Sequence, residues 1–477
     1  MESRDIYSNL SPLDHRYSLS DPSLFRDLGR YLSERASIDA CVRVELALLR
    51  ALLGRGIGGD GAKDALPALD TVARAVDPEE VYAEEEKTRH NIRALVNVLK
   101  RKVPPALSPL VHLGATSVDI LDTASALRYR DVTLQVVLPL LLDLEEALID
   151  LVRREAGTPQ IGRTHGQHAV PITFGFAMAE YVSRFGKSIQ RIQERARDLR
   201  GKLAGAVGAY NATGFLCADP RGLERDFLSI LGLLPSEHST QLVEPEYLLS
   251  LLLEMNTAFG VLANLADDLR NLQRTEIGEV REGFAAEQVG SSTMPQKRNP
   301  WNCEHVKSLW KAFSPRVVSF FMDQISEHQR DLTNSASSRF VAEYVTGFCL
   351  AASRMRSVIG SLVVDRDRMA ANLRSTGGMV LAEPAYILLA GSGETEAHER
   401  LRKATLSAEK DGRPLSEVLH EDRPLWELLS SALRRLRGLD ADAFFRDPSC
   451  YTGIAAEKAS EIADRYAEAV AELRRKI

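Results

Sequence analysis

The sequence has no paired-cysteine motif. Cys41, Cys217, Cys303, Cys349 and Cys450 are dispersed, odd in number and form no CxxC, which argues against a disulfide framework or a structural zinc site and suits a reducing compartment. Neither sign of charge dominates: 60 basic against 66 acidic side chains leave a formal net charge of -6. Nothing electrostatic therefore calls for nucleic acid or an anionic membrane as partner, although a local basic pocket for a small anion stays open. Long apolar runs are missing too. The most apolar stretch, 136–142, contains Pro139 and is followed by Asp143, Glu145 and Glu146, far too short to span a bilayer. The opening MESRDIYSNLSPLDHRY has no apolar segment like a secretory signal, so a cytoplasmic protein is expected. No GxGxxG follows a strand and no phosphate-binding P-loop is present, so neither a nicotinamide nor a flavin cofactor is expected.

What the chain does have is helical periodicity. Its 477 residues are 44% hydrophobic and 26% charged, a globular balance with ample length for a buried core. Apolar residues recur at three- and four-residue spacing over 33–53, ending at Gly54 and Gly56. Strong helix formers fill 124–154 with only Pro139 interrupting, where a kink is expected. Residues 132–142 are apolar on nearly every face, as the centre of a bundle requires. Further helices are predicted over 174–199, 246–275, 303–329 and 340–364, and alternating strands are scarce. The fold class is all-α, with a helical domain over 1–111, a long-helix bundle over 112–368 and a smaller helical domain over 369–477.

Four polar loops interrupt these helices, the places where chemistry sits on a rigid scaffold. The segment from Gly290 to Pro300 compresses Ser291, Ser292, Thr293, Lys297 and Asn299 just before a helix. Backbone donors at that helix start, with Lys297 and Asn299, would make a carboxylate cradle; a solvated loop with a helix cap is the alternative. In Arg163-Thr164-His165-Gly166-Gln167-His168 two histidines stand three apart, but no carboxylate or cysteine lies in the same segment to complete a metal site. A histidine acting as proton donor and a satisfied structural histidine both remain open. His112-Leu113-Gly114-Ala115-Thr116-Ser117-Val118-Asp119 enters a long helix and could simply cap it. Arg330 and Arg339 flank Ser335, as in a phosphate clamp or an exposed ion-pair network.

Taken together, ATSVDILDTA (115–124), GRTHGQHAVPITFG (162–175) and GSSTMPQKRNP (290–300) resemble the three separated motifs of the fumarase/aspartase superfamily. The resemblance runs over essentially the whole chain and is weakest at the C-terminal end. It implies a homotetramer with a long helical core, active sites assembled from three subunits, and no metal or organic cofactor. Within the superfamily the chain is most similar to the adenylosuccinate lyase branch. SPLDHRY resembles that branch's opening, which implies phosphate contacts from Arg16 and Tyr17. KTRHNIRA (87–94) implies Arg89, His90 and Asn91 as site residues, STQLVEPEY (239–247) implies Gln241, and QRDLTNSASSR (329–339) implies a phosphate strip of Arg330, Ser335 and Arg339.

The implied reaction eliminates fumarate by removing a proton next to a carboxylate and breaking a carbon–nitrogen bond. The resemblance assigns Ser291 as base, His165 as the acid for the leaving nitrogen and Glu304 as the carboxylate orienting that imidazole. Lys297 and Asn299 would stabilise the carboxylate on which charge develops, and Thr116 and Ser117 would hold the other. His90, counted with the catalytic set, and His112 would lie at the phosphate or carboxamide end. Two positions depart from the branch. Asn91 stands where aspartate is usual, and Gln296 where histidine is frequent; glutamine there is found in argininosuccinate lyases and muconate-cycloisomerase relatives. Another N-succinyl substrate or a carboxymuconate is therefore the alternative.

Overall fold

The computed structural model describes residues 5–59, 64–284 and 293–476. Its centre is a set of long helices: Leu138–Glu155, Phe174–Arg197, Glu246–Leu272 and Val341–Ser361, packed against one another and against Trp301–Phe313. Each turns an apolar face inward; Leu141, Leu142, Leu144, Phe185, Ile192, Phe259, Leu262, Phe348 and Cys349 are fully enclosed. Helix Glu246–Leu272 is apolar and long enough to cross a membrane by length and composition. Here it packs on Phe174–Arg197, Trp301–Phe313 and Val341–Ser361 as a strut of the bundle.

Pro139 does not break the helix that carries it. Helix Ser117–Val132 runs through a wider π turn, Thr133–Val137, into Leu138–Glu155. Proline cannot donate a backbone hydrogen bond and its ring crowds the preceding turn, and one wide turn absorbs both defects. The predicted 303–329 helix is shorter. It ends at Phe313, because Pro315 forces a tight 3-10 turn, and resumes only as Val317–Met322.

The GRTHGQHAVP segment, which reads as a linker, forms an antiparallel hairpin, Pro159–Thr164 paired with Gln167–Thr173. Its turn residues His165 and Gly166 both have positive φ, 55° and 74°, the two-residue turn whose twist matches paired strands. The C-terminal region builds a separate apolar core from Leu373 to Phe445, with Ile161 of the hairpin reaching into it. The last helix, Ala455–Lys476, returns to the bundle and lies along Leu138–Glu155 and Phe174–Arg197.

Candidate active site

The start of helix Ser117–Val132 gathers the first group. Asp119 is fully buried and receives the Thr116 N–H at 2.8 Å, the Ala204 N–H at 3.1 Å, and an ion pair from the equally buried Lys202. Thr116 and Ser117 are thus locked to the Gly-rich 201–205 segment, and capping and site geometry come from the same carboxylate. His90 caps helix Asn91–Lys102, accepting the Arg93 N–H on Nδ1 at 3.3 Å. Its Nε2 lies 3.5 Å from the Ser117 hydroxyl. Arg89, at φ 52°, forms the left-handed joint between helices Pro78–Thr88 and Asn91–Lys102, and Asn91 begins the second of them. His112 is held by Nδ1, 2.7 Å from Glu45 Oε1.

The 329–339 strip adjoins this group. The Gln241 N–H donates to the Gln329 carbonyl at 3.2 Å, and the Val243 N–H donates to Asp122 Oδ2 at 2.8 Å. Arg339 lies close enough to Tyr82, on helix Pro78–Thr88, to act on its phenol electrostatically. Ser335 and Arg339 are exposed. Arg330 differs: at φ 91° it folds back, donating Nη1 to Gln324 O and Nη2 to Asp323 O. Two of its donors therefore brace the strip from behind.

Asp122 sits behind the strip beside a cavity of about 140 Å³ that Arg330 also lines. Burial pushes its carboxyl up to about 6, against the pull of the Val243 N–H, Lys202 and Arg330. A raised carboxyl binds its proton more tightly in the folded state, so stability falls as pH rises from about 4 to about 6 and stays reduced above. Asp122→Asn keeps an acceptor for Val243 and removes the charge. It should stabilise the fold by about 1–3 kcal/mol near pH 8 and by little near pH 4, read from urea midpoints at the two pH values; equal midpoints at both would refute it.

The second group lies at the start of helix Trp301–Phe313. Glu282 takes the Cys303 N–H at 2.8 Å and the Asn302 N–H at 3.2 Å. The backbone donors expected to cradle a carboxylate are thus already occupied, and that task falls to side chains. Lys297 and Glu304 are exposed here and Asn299 half-buried. Tyr17 packs on His305 of the same helix with ring centroids 5.7 Å apart. Burial, then Arg354 and Arg16, hold the His305 imidazole below its usual range. Arg16 and Tyr17 therefore face the helix that bears Glu304, and His305 and Arg354 join them as residues with no sequence motif of their own. Ser291 lies outside the described residues.

His165 stands exposed at the hairpin tip. The hairpin base is held firmly: Arg163 makes two hydrogen bonds, at 2.6 and 3.1 Å, to the fully buried Glu279, which also accepts from Gln160 and Asn372 at 2.8 Å. His168 is held below its ordinary value by burial and then by Arg163. Among the described residues no three His, Cys, Asp or Glu side chains converge as metal ligands would.

The chain is similar to known lyases. A family described as lyase matches residues 15–312, and one described as adenylosuccinate lyase C-terminal matches 326–441. The adenylosuccinate lyase of Pyrococcus horikoshii is 34% identical over 472 residues, covering 98% of this chain and 99% of that protein. That of Archaeoglobus fulgidus is 34% identical, covering 94% and 97%. An N-acetyl-S-(2-succino)cysteine lyase of Enterococcus italicus is 28% identical, covering 90% and 92%. Among solved structures, a fumarate lyase from Mesorhizobium sp. BNC1 superposes with a TM-score of 0.79 at 27% identity, covering 92% of this chain and 97% of its own. The 3-carboxy-cis,cis-muconate lactonizing enzyme of Pseudomonas putida gives 0.78 at 26%, covering 94% and 100%.

Proposed function

The chain belongs to the lyase family of the fumarase/aspartase superfamily, in its adenylosuccinate lyase branch, and on that footing we propose that it eliminates fumarate from adenylosuccinate to leave AMP. The observation that carries the reading is the extent of the likeness. It covers 98% of the chain at 34% identity, and the C-terminal match includes the 329–339 strip that a phosphorylated substrate needs. The imidazole-carboxamide counterpart of adenylosuccinate is the second expected substrate.

In this reading Ser291 removes the proton next to the succinyl carboxylate, and Lys297 and Asn299 stabilise the charge that develops there. A serine hydroxyl is hardly ionised near neutrality, so it serves as base only in a closed site with donors around it. His165 then protonates the leaving nitrogen, with Glu304 orienting its ring. Thr116 and Ser117, at the start of helix Ser117–Val132, hold the second carboxylate. Arg16, Tyr17, Ser335 and Arg339 take the phosphate.

These groups come from more than one copy of the chain, in a homotetramer. Two observations support the sharing. His165 projects on a rigid hairpin into open space, with no partner among the described residues. Val318, Phe321, Met322, Ile325 and Leu332, close in the chain to the 329–339 strip, are exposed apolar side chains, Ile325 83% and Leu332 70% exposed, as a subunit contact would require. The five free cysteines fit the reducing cytoplasm.

Fumarate release, followed by its ultraviolet absorbance, tests the function across adenylosuccinate, its imidazole-carboxamide counterpart, argininosuccinate, a 2-succino thioether and fumarate with ammonia. Adenylosuccinate should be turned over fastest; preference for argininosuccinate or the thioether would overturn the assignment. Arg339→Gln should raise KM for adenylosuccinate by about tenfold or more, the worth of a charge-assisted contact, and leave slow turnover of unphosphorylated succinyl compounds unchanged. An unaltered KM would remove Arg339 from the phosphate site.

A further inference from the structure

Glu45 has no part in any of the motifs, yet it occupies an unusual place. It lies within helix Glu34–Gly54, among Val44, Leu46, Leu48 and Leu49, and its side chain is fully enclosed. A leucine there would complete the apolar face. Enclosing a carboxylate instead costs several kcal/mol unless a counter-charge and hydrogen bonds offset it. Among the described residues only one side chain answers it: Oε1 lies 2.7 Å from His112 Nδ1, and Oε2 is buried with no hydrogen-bond partner there.

His112 is itself held against preference. It adopts φ 65°, a left-handed conformation that costs a residue other than glycine of order 1–3 kcal/mol and clusters at functional sites. Two residues later Gly114, at φ 80°, passes so close to Leu216 that a Cβ would meet it at 2.7 Å. The loop is therefore fixed on both sides of the histidine. Nδ1 points inward to Glu45, so Nε2 lies on the opposite edge of the ring, in a side chain that is 20% exposed. That edge emerges four residues ahead of Thr116, on the loop that delivers Thr116 and Ser117 to the helix start facing His90.

We propose that Glu45 is a positioning residue that holds the His112 ring by Nδ1, so that Nε2 of the protonated ring donates to an anionic oxygen of the bound substrate. The carboxylate accepts from Nδ1 and supplies a counter-charge for the ring when it is protonated; Nε2, on the opposite edge, faces the site. The inference rests on the proposed function only in naming the anion as the substrate's, a phosphate or a carboxylate.

Glu45→Gln tests it, since the glutamine carbonyl can accept the same Nδ1–H while the charge is gone. AMP and succinate are titrated calorimetrically into the intact wild-type, Glu45→Gln and His112→Gln enzymes and the double variant, alongside urea unfolding. Glu45→Gln should weaken one ligand by about tenfold, the scale of a charge-assisted hydrogen bond, with the urea midpoint unchanged or higher. His112→Gln should weaken the same ligand equally, and the double variant no further. Weakening of AMP assigns the phosphate, and weakening of succinate assigns a carboxylate. Wild-type affinity in Glu45→Gln, multiplied losses in the double variant, affinity lost only in step with stability, or no binding of either ligand by the wild type would each overturn the proposal. A wild type that binds but does not turn over adenylosuccinate would sink the function and leave the Glu45 result standing.

Discussion

Alanine at position 291 should lower kcat by at least about a hundredfold, the range for losing an acid–base group, with the fold and assembly unchanged. His165→Ala should fall comparably, because the leaving nitrogen must be protonated as the carbon–nitrogen bond breaks. His165 has a firm scaffold behind it: its hairpin is tied through Arg163 to the buried Glu279, so a truncation at the tip removes chemistry and not structure. If sites are shared, the two inactive variants carry complementary defects. Mixing them under conditions that allow subunit exchange should then regenerate some intact sites and restore part of the activity. An active, correctly assembled Ser291→Ala enzyme would overturn the base assignment, and failure to recover activity on mixing would count against shared sites.

Removing Glu279 should produce the largest loss of stability. Its enclosed carboxylate binds Arg163, Gln160 and Asn372 at once, joining the hairpin, the end of the Glu246–Leu272 region and helix Arg366–Arg374. Breaking a buried pair by deleting one partner leaves the other charge uncompensated and costs about 3–5 kcal/mol. Glu279→Ala should show that loss in urea unfolding. Its kcat should also fall, because the hairpin that aims His165 loses its anchor. Glu279→Gln should recover part of the stability through its bonds to Gln160 and Asn372. A loss below about 1 kcal/mol for the alanine variant would mean that the hairpin is held by packing alone.

The candidate site could be read from the sequence because its residues sit in local motifs. Thr116 and Ser117 at a helix start, Lys297 and Asn299 before another, and paired arginines around Ser335 are short-range patterns, and helix-start chemistry is itself short-range. Arg330 shows the limit of that logic. Its position in the strip matches a phosphate ligand, but two of its donors go to the carbonyls of Gln324 and Asp323, a choice made by how the loop closes. Glu282 capping helix Trp301–Phe313 is another: its carboxylate fills the backbone donors that the motif alone left free for substrate. Glu45 did leave one trace, a lone acid inside the apolar run VELALL, but nothing nearby in the chain names its partner, 67 residues away.

The amino-acid order alone determined the helical class, the helices with clear three- and four-residue periodicity and the superfamily, since each depends on contacts or motifs a few residues long. It did not determine the hairpin at 159–173, whose strands are stabilised by ties to Glu279 and by Ile161 entering the C-terminal core. Nor did it determine which buried carboxylates hold which loops: Asp119 with Lys202, Glu279 with Arg163, Glu45 with His112. Those pairings join positions tens to more than a hundred residues apart, and only the packed tertiary structure brings them within hydrogen-bonding distance and removes the water that would otherwise make them weak.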